Sequence, residues 1–399
     1  MSSRQSTSRR RKRASRSTSN PSRSTSKPQT TATRVTTTTK NTSPYDRAFQ
    51  QNLTDHGIYP EEYEYPDGRI PALPDNWEDI NHRLVQPRPS LSPSQFCDGA
   101  FKKFKRAHAH ARKEHQVRIS VIPTIEGEAE GRRVGGGLRL TNLDHLTDGT
   151  ITYGTPDIFY GARPEQLDRR IRKELSGRIV PSTQEDLPMA PNFFLAVKGP
   201  DGSSAIAERQ ACYDGALGAR GIQSLQSYGE TEPVFDNSAY TITSIYHGGQ
   251  LKMYTTHPTQ PTGPENRPEY FMNQLGAFAM TNKPETFREG ATAFRNARDW
   301  AKEKRDEFIE NANRRMPNTY AEPQSLESSG DGEGSASTSG PIMMESDTSA
   351  DELTLEKEYM YTSFSKRPRT ELPKLNRKQG GRGQHSKRAG FKHTEISLM

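Results

Sequence analysis

The sequence predicts a mixed fold of the α+β or α/β class, a mixed sheet flanked by helices, with long basic and acidic tails outside it. Three stretches carry that expectation. Residues 192–198 are a short apolar run bounded by Pro191 and Gly199, and the turn PDGSS follows. Ile206, Gln210, Tyr213 and Leu217 then recur at three-to-four spacing, so the order is strand, tight turn, helix. Segments 240–246 and 250–256 alternate apolar and polar residues around Gly248-Gly249, the pattern of a hairpin. Phe287, Phe294, Ala301 and Phe308 recur every seven residues in 285–315, opposite a charged face, which predicts a long amphipathic helix. The same heptad suits a coiled-coil seam, but so short a run barely supports one alone, and packing across the sheet is preferred.

Composition limits how much of the chain builds that core. Of 399 residues, 30% are hydrophobic, low for a globular chain. The net charge of +7 is unevenly spread: +11 over 1–40, −3 over 41–319, −9 over 320–365 and +8 over 366–399. The basic character therefore belongs to the tails. Two cysteines, Cys97 and Cys212, are too few for a disulfide framework or a Cys-rich zinc site and fit a reducing compartment. No apolar run approaches the roughly 20 residues of a membrane helix, which argues against a membrane partner. The N-terminus has no apolar core of a secretory signal, and its lack of large apolar residues also disfavours an amphipathic transit helix.

In chain order, 1–43 is a Ser/Thr/Arg-rich segment expected to be disordered. Its cluster Arg9, Arg10, Arg11, Lys12 and Arg13 has the density of a nuclear-import signal, and Lys366, Arg367 and Arg369 form a second. A solvated tail is the plainer alternative. Nuclear localisation is the expectation, with a cytoplasmic site as the alternative. Residues 44–90, punctuated by Pro60, Pro66, Pro71 and Pro74, predict an extended arm with one short helix over 76–83. A folded domain is expected over 91–316. Within it, Phe96, Ala100, Phe104, Ala107 and Ala111 predict a helix over 93–114, and QVRISVI at 116–122 predicts a strand. His108, His110 and His115 are not read as a metal set, because positions two apart on a helix do not share a face. Strands are expected over 138–141 and 151–160, a helix from Pro164 to Leu175 ended by Gly177, and a strand or short helix over 270–280. Residues 317–365 predict an acidic disordered linker and 366–399 a basic disordered end.

The chemistry-bearing pair is Asp157 and Lys198. Asp157 opens the apolar run DIFYG, and Lys198 ends the run at 192–198. An acid on one strand and a lysine at the end of its neighbour can share a metal-centred site, in which acids hold Mg²⁺ and the lysine stabilises developing charge. A turn acid and a solvated strand-end lysine are the ordinary alternatives.

Pro156-Asp157 followed by Ala196-Val197-Lys198 resembles the PD-(D/E)XK nuclease superfamily, whose pattern is Pro-Asp on one strand and acid-any-Lys on the next. Over about 138–315, the phrases TPDIFYGARPEQLDRRIRKELSG, LPMAPNFFLAVKG, RQACYDGALGARGIQSLQSYG, LKMYTTHPT and ATAFRNARDWAKEKRDEFI resemble an uncharacterised fungal family, a domain of unknown function. The resemblance implies a restriction-endonuclease-like core. It implies Asp157 as the principal Mg²⁺ ligand, a carbonyl oxygen at Val197, and Lys198 beside the attacking water or the phosphate. The departure is Ala196, where the fungal family often has glutamate. The superfamily tolerates migration of that acid to the following helix, which makes Glu208 the replacement ligand, with Glu185 and Asp186 as weaker candidates. Glu114 is a candidate acid from the helix before the sheet. Gln210 and Tyr213 resemble a Gln-to-Tyr helix motif of some exonuclease branches, one residue short of the usual spacing.

Two functions of different class stand on these residues. One is a degenerate, catalytically silent core that binds nucleic acid or nuclear proteins with the help of its basic tails. The other is an active Mg²⁺-dependent nuclease using Asp157, Lys198 and Glu208. Replacing 9–13 and 366–369 by alanine in a fluorescent fusion of the full chain is expected to abolish nuclear accumulation. Unchanged accumulation removes the nuclear assignment.

Overall fold

The computed structural model describes residues 41–128, 133–184, 187–261 and 266–316. The import clusters at 9–13 and 366–369, and Glu185 and Asp186, lie outside the described residues. Within 44–90 the chain is more ordered locally than its prolines suggest. Helix α1 (Phe49–Asp55) buries Phe49 and Leu53, and strand β1 (Ile58–Tyr59) joins the sheet edge. Helix α2 (Trp77–Leu84) falls where the short helix was expected and buries Ile80 and Leu84.

Helix α3 (Asp98–His110) is shorter at both ends than the expected 93–114, and extended backbone at Ala111 ends it. The predicted strand 116–122 is instead helical: α4 (Glu114–Ser120) and α5 (Ile122–Glu126) follow one another. The run 116–122 is too short to show a helical period by itself. Val117, Val121, Ile122 and Ile125 are all buried, and their spacing is that of one helical stripe. Gly127, with φ of 62°, ends α5 in a conformation that favours glycine.

Strand β2 (Arg133–Gly135) precedes a turn-rich segment, so the strand expected over 138–141 does not form. Of the expected 151–160, only the end is strand: β3 runs Ile158–Ala162, because Pro156 carries no amide hydrogen to pair. The helix expected from Pro164 is broken into a 3₁₀ turn (Pro164–Gln166), α6 (Arg169–Glu174) and α7 (Ser176–Ile179), and Gly177 lies inside α7. Asp168 resets the helix by accepting from the Arg170 amide at 2.7 Å.

The central unit is β4 (Met189–Val197), buried throughout, followed by α8 (Ser204–Gln226). Then come β5 (Thr241–His247), β6 (Gln250–Thr259), β7 (Glu269–Ala279) and α9 (Pro284–Arg315). Gly248 and Gly249, with φ of 59° and 78°, make the two-residue turn between β5 and β6, as positive φ at both positions requires.

Among the described residues the strands form one seven-stranded mixed sheet in the order β1-β7-β6-β5-β4-β3-β2. The β1–β7 and β4–β5 pairs are parallel and the remaining neighbours antiparallel. Each face carries one long helix. Phe193, Leu195 and Val197 of β4 pack with α3, α4, α5 and α9, while Phe194 and Ala196 pack with α8. Helix α8 lies unusually close to the sheet: a Cβ at Gly218 would stand 2.7 Å from the Phe194 ring and 2.9 Å from the Pro191 carbonyl oxygen.

Helix α9 is pinned by buried polar groups as well as by its aromatic stripe. Arg305 donates to Asn192 Oδ1 at 2.6 Å and to the Tyr160 carbonyl at 3.2 Å. Asn192 in turn donates to the carbonyls of Ala301 and Tyr240 at 2.8 and 2.9 Å. Burial lowers the Arg305 guanidinium to about 10, still charged at neutral pH. Arg295 donates to the Ile125 and Thr124 carbonyls at 2.9 and 3.0 Å, and Arg298 to the Glu126 carbonyl at 2.9 Å. Those carbonyls close the C-terminus of α5, where free acceptors and the helix dipole both favour a cation. The α4–α5 segment is thereby tied to α9.

Phe287 is fully buried, stacks on Phe96 at 4.4 Å and meets Phe104 at 4.5 Å between ring centroids. Phe287→Ala is expected to lower stability by about 3–5 kcal/mol in urea unfolding. A loss below about 1 kcal/mol would mean that this aromatic cluster does not hold α3 to α9.

Candidate functional site

The site forms where β3 begins and β4 ends. Ile158 pairs with Leu195, and the next residues outward on the two strands are Asp157 and Ala196. The Val197 amide donates to Asp157 Oδ2 at 2.7 Å, which fixes the carboxylate at the strand ends. The Lys198 amide donates to the Tyr246 carbonyl at 3.0 Å, so β5 holds the lysine backbone. The Lys198 side chain is 6% exposed, and its Nζ stands 3.7 Å from Asp157 Oδ2 and 3.5 Å from Glu114 Oε2.

Glu114 reaches this point because α3 stops at His110 and the chain turns back over the end of β4. Gly199 permits the approach: a Cβ there would stand 2.9 Å from the Glu114 amide nitrogen. The Glu114 carboxyl is raised above its ordinary range, first by burial and then by the Asp157 charge, with Lys198 opposing.

A further acid, not singled out in the sequence, belongs to the same cluster. Asp214 of α8 is 3% exposed. Its carboxyl is pushed up to about 8, first by burial and then by the negative charge of Asp157, with Lys198 again opposing. A Cβ at Gly154 would stand 2.7 Å from Asp214 Oδ1, so the loop before β3 closes over it. The available signal was composition. Asp214 is an acid inside ACYDGALG, on a helix whose surrounding residues are small or apolar.

Glu208 does not join this group. Its Oε1 accepts from Lys252 Nζ at 2.8 Å and from Ser204 Oγ at 3.0 Å. No described contact links it to Asp157 or Lys198. The physical reason is helical phase: Glu208 and Asp214 are six residues apart, and Asp214 lies on the side of α8 that meets the β3–β4 end. Tyr213 is 3% exposed, packs edge-on to Phe49 at 6.3 Å, and is raised to about 12 by burial, so it belongs to the core. Gln210 keeps a buried amide oxygen with no hydrogen-bond partner among the described residues. Ala196 is 6% exposed against α8 and offers no ligand.

If all ionised, Glu114, Asp157 and Asp214 exceed the single positive charge of Lys198. The Glu114 and Asp214 carboxyls are both raised in response, and a divalent cation would relieve the same excess. Among the described residues no set of three or more His, Cys, Asp or Glu side chains is disposed as a metal cage. The Glu114–Asp157 pair fits Mg²⁺, which binds through one or two carboxylates and keeps waters or phosphate oxygens in its remaining positions.

The Asp214 carboxyl gives a pH signature. Its folded value of about 8 lies above the unfolded 3.8, so between these values the folded chain keeps a proton that the unfolded chain has released. Stability therefore falls as pH rises through that window. Asp214→Asn keeps the shape and removes the titration. In EDTA, urea unfolding of the wild type is expected to weaken with pH more steeply than the variant, by on the order of 1 kcal/mol per pH unit. Parallel curves would refute the buried, protonated carboxyl.

No family model, no curated protein and no solved structure matches this chain.

Proposed function

We propose that this chain is a Mg²⁺-dependent nuclease with a restriction-endonuclease-like core, active in the nucleus. One observation carries the reading: Glu114 and Asp157 meet at the buried Lys198 ammonium, with the Asp214 carboxyl beside them. The acid missing at Ala196 is thus replaced in the neighbourhood by acids from α4 and α8, and Glu208 is not needed. The basic clusters at 9–13 and 366–369 support the nuclear site.

Glu114 and Asp157 would hold Mg²⁺, which when bound supplies a Lewis acid and an activated water for phosphodiester hydrolysis. Asp157 is oriented by the Val197 amide, so its carboxylate does not have to reorganise. Lys198 places a positive charge where the pentavalent phosphate gathers negative charge. Its low exposure keeps that charge poorly screened by water. Glu114 is the most accessible member, with 44% of its side chain exposed.

A second reading rests on Ala196 and on the 6% exposure of Lys198. It makes the cluster a buried ion-pair network that binds α4 to the sheet, within a silent core used for binding. Cleavage of plasmid DNA and of single-stranded RNA by the purified full chain separates the two. Expected are Mg²⁺- or Mn²⁺-dependent cleavage, losses of about 100-fold or more for Asp157→Asn and Lys198→Ala, and activity within about twofold of wild type for Glu208→Gln. No metal-dependent cleavage by the wild type leaves the silent reading standing. A Glu208→Gln loss as deep as that of Asp157→Asn would return the migrated acid to Glu208.

A further inference from the structure

The charge of the folded part is nearly balanced, but α3 and the start of α4 are not. Between 99 and 120 the chain carries seven Lys/Arg and one acid, and that acid is Glu114, engaged with Lys198. Lys102, Lys103, Lys105, Arg106, Arg112 and Lys113 are all exposed. None of them makes an ion pair among the described residues. The half-buried cations on α9 behave differently: Lys302 pairs with Asp306, and Lys304 with Glu307 at 2.9 Å. A face that needed cations only for solubility would tolerate the same interleaved acids. Here the opposite face of α3 is committed, since Phe101 and Phe104 are buried toward α9. The cations are therefore held on one side, in a row that runs directly into Glu114.

We propose that this row, from Lys102 to Lys113, is a docking strip for the phosphodiester backbone of nucleic acid, leading it to the Glu114–Asp157–Lys198 cluster. The assignment rests on the proposed function in its choice of polyanion. The 13 residues of α3 span about 20 Å at 1.5 Å per residue. Phosphates of one duplex strand recur about every 3.4 Å along the axis, so the helix covers about six of them. Lys102, Arg106 and His110 recur every four residues and so follow one edge of the helix. Arg112 and Lys113 continue the row to the residue before Glu114. Such contacts read charge, not sequence, and release counterions on binding.

The test uses the full chain with EDTA present, so that the outcome does not depend on hydrolysis. Binding of a 30-base-pair duplex is measured across salt for the wild type and for K102Q/K103Q/K105Q/R106Q. The expected result is a log–log salt slope shallower by about 3–4, near 0.9 for each phosphate no longer neutralised. In the wild type, bound duplex is expected to protect Lys102, Lys103 and Lys105 from acylation while Lys173 of α6 stays reactive. An unchanged slope, or equal reactivity of the three lysines with and without duplex, overturns the strip. Lysines that are protected without duplex and freed by deleting 320–365 overturn it differently, by assigning the strip to the chain's own acidic segment. Duplex protection in a chain that never cleaves would sustain the strip and count against the nuclease alone.

Discussion

A lysine ammonium that is 6% exposed can stay charged only beside carboxylates, and this requirement organises the end of the sheet around Lys198. Asp157 answers it from β3 and Glu114 from α4. Each arrival needs its own device: the Val197 amide orients Asp157, and the missing side chain at Gly199 admits the backbone of Glu114. Three acids against one cation overshoot, so the Glu114 and Asp214 carboxyls are both raised above their ordinary range. The excess of carboxylate over ammonium is what gives the cluster affinity for a hard cation, and it separates this site from a neutral buried ion pair.

The two long helices place these groups from opposite faces. Helix α8 approaches the sheet closely because Gly218 leaves room for the Phe194 ring, and Asp214 enters the site on that helix. Helix α9 works at longer range. Its buried arginines close the carbonyls of α5, and Phe287 anchors α3, so α4 is held between two restrained segments. Breaking an arginine contact would leave a buried charge without acceptors, costlier than losing an exposed pair. The position of Glu114 therefore depends on residues more than 170 positions away in sequence.

Long periodic segments were readable from residues alone. The α9 stripe, the β4–turn–α8 unit and the Gly-Gly hairpin recur in the structure because each pattern is internally complete. Short segments were not. The run at 116–122 alternates well enough for a strand, and only Ile125 beyond it reveals the helical stripe. The run at 151–160 looked continuous, but Pro156 confines the strand to its end. The 44–90 arm hid α1 and β1, since proline spacing says where long helices stop and not where short elements begin.

The sequence by itself showed an acid opening one apolar run and a lysine ending another, with basic charge massed in the tails; that the two runs are neighbouring strands came from the fold. The sequence also named Glu114, on the strength of a resemblance. Tertiary structure decided which other acids join them. Glu208 lies nearer to Lys198 along the chain, yet the phase of α8 delivers it to Lys252 and delivers Asp214 to the cluster. Tertiary structure also separated the charges of a nearly neutral domain, because α3 buries its aromatic side against α9 and leaves its cations on the other. Neither outcome is visible in composition, since both depend on which side of a helix the sheet occupies.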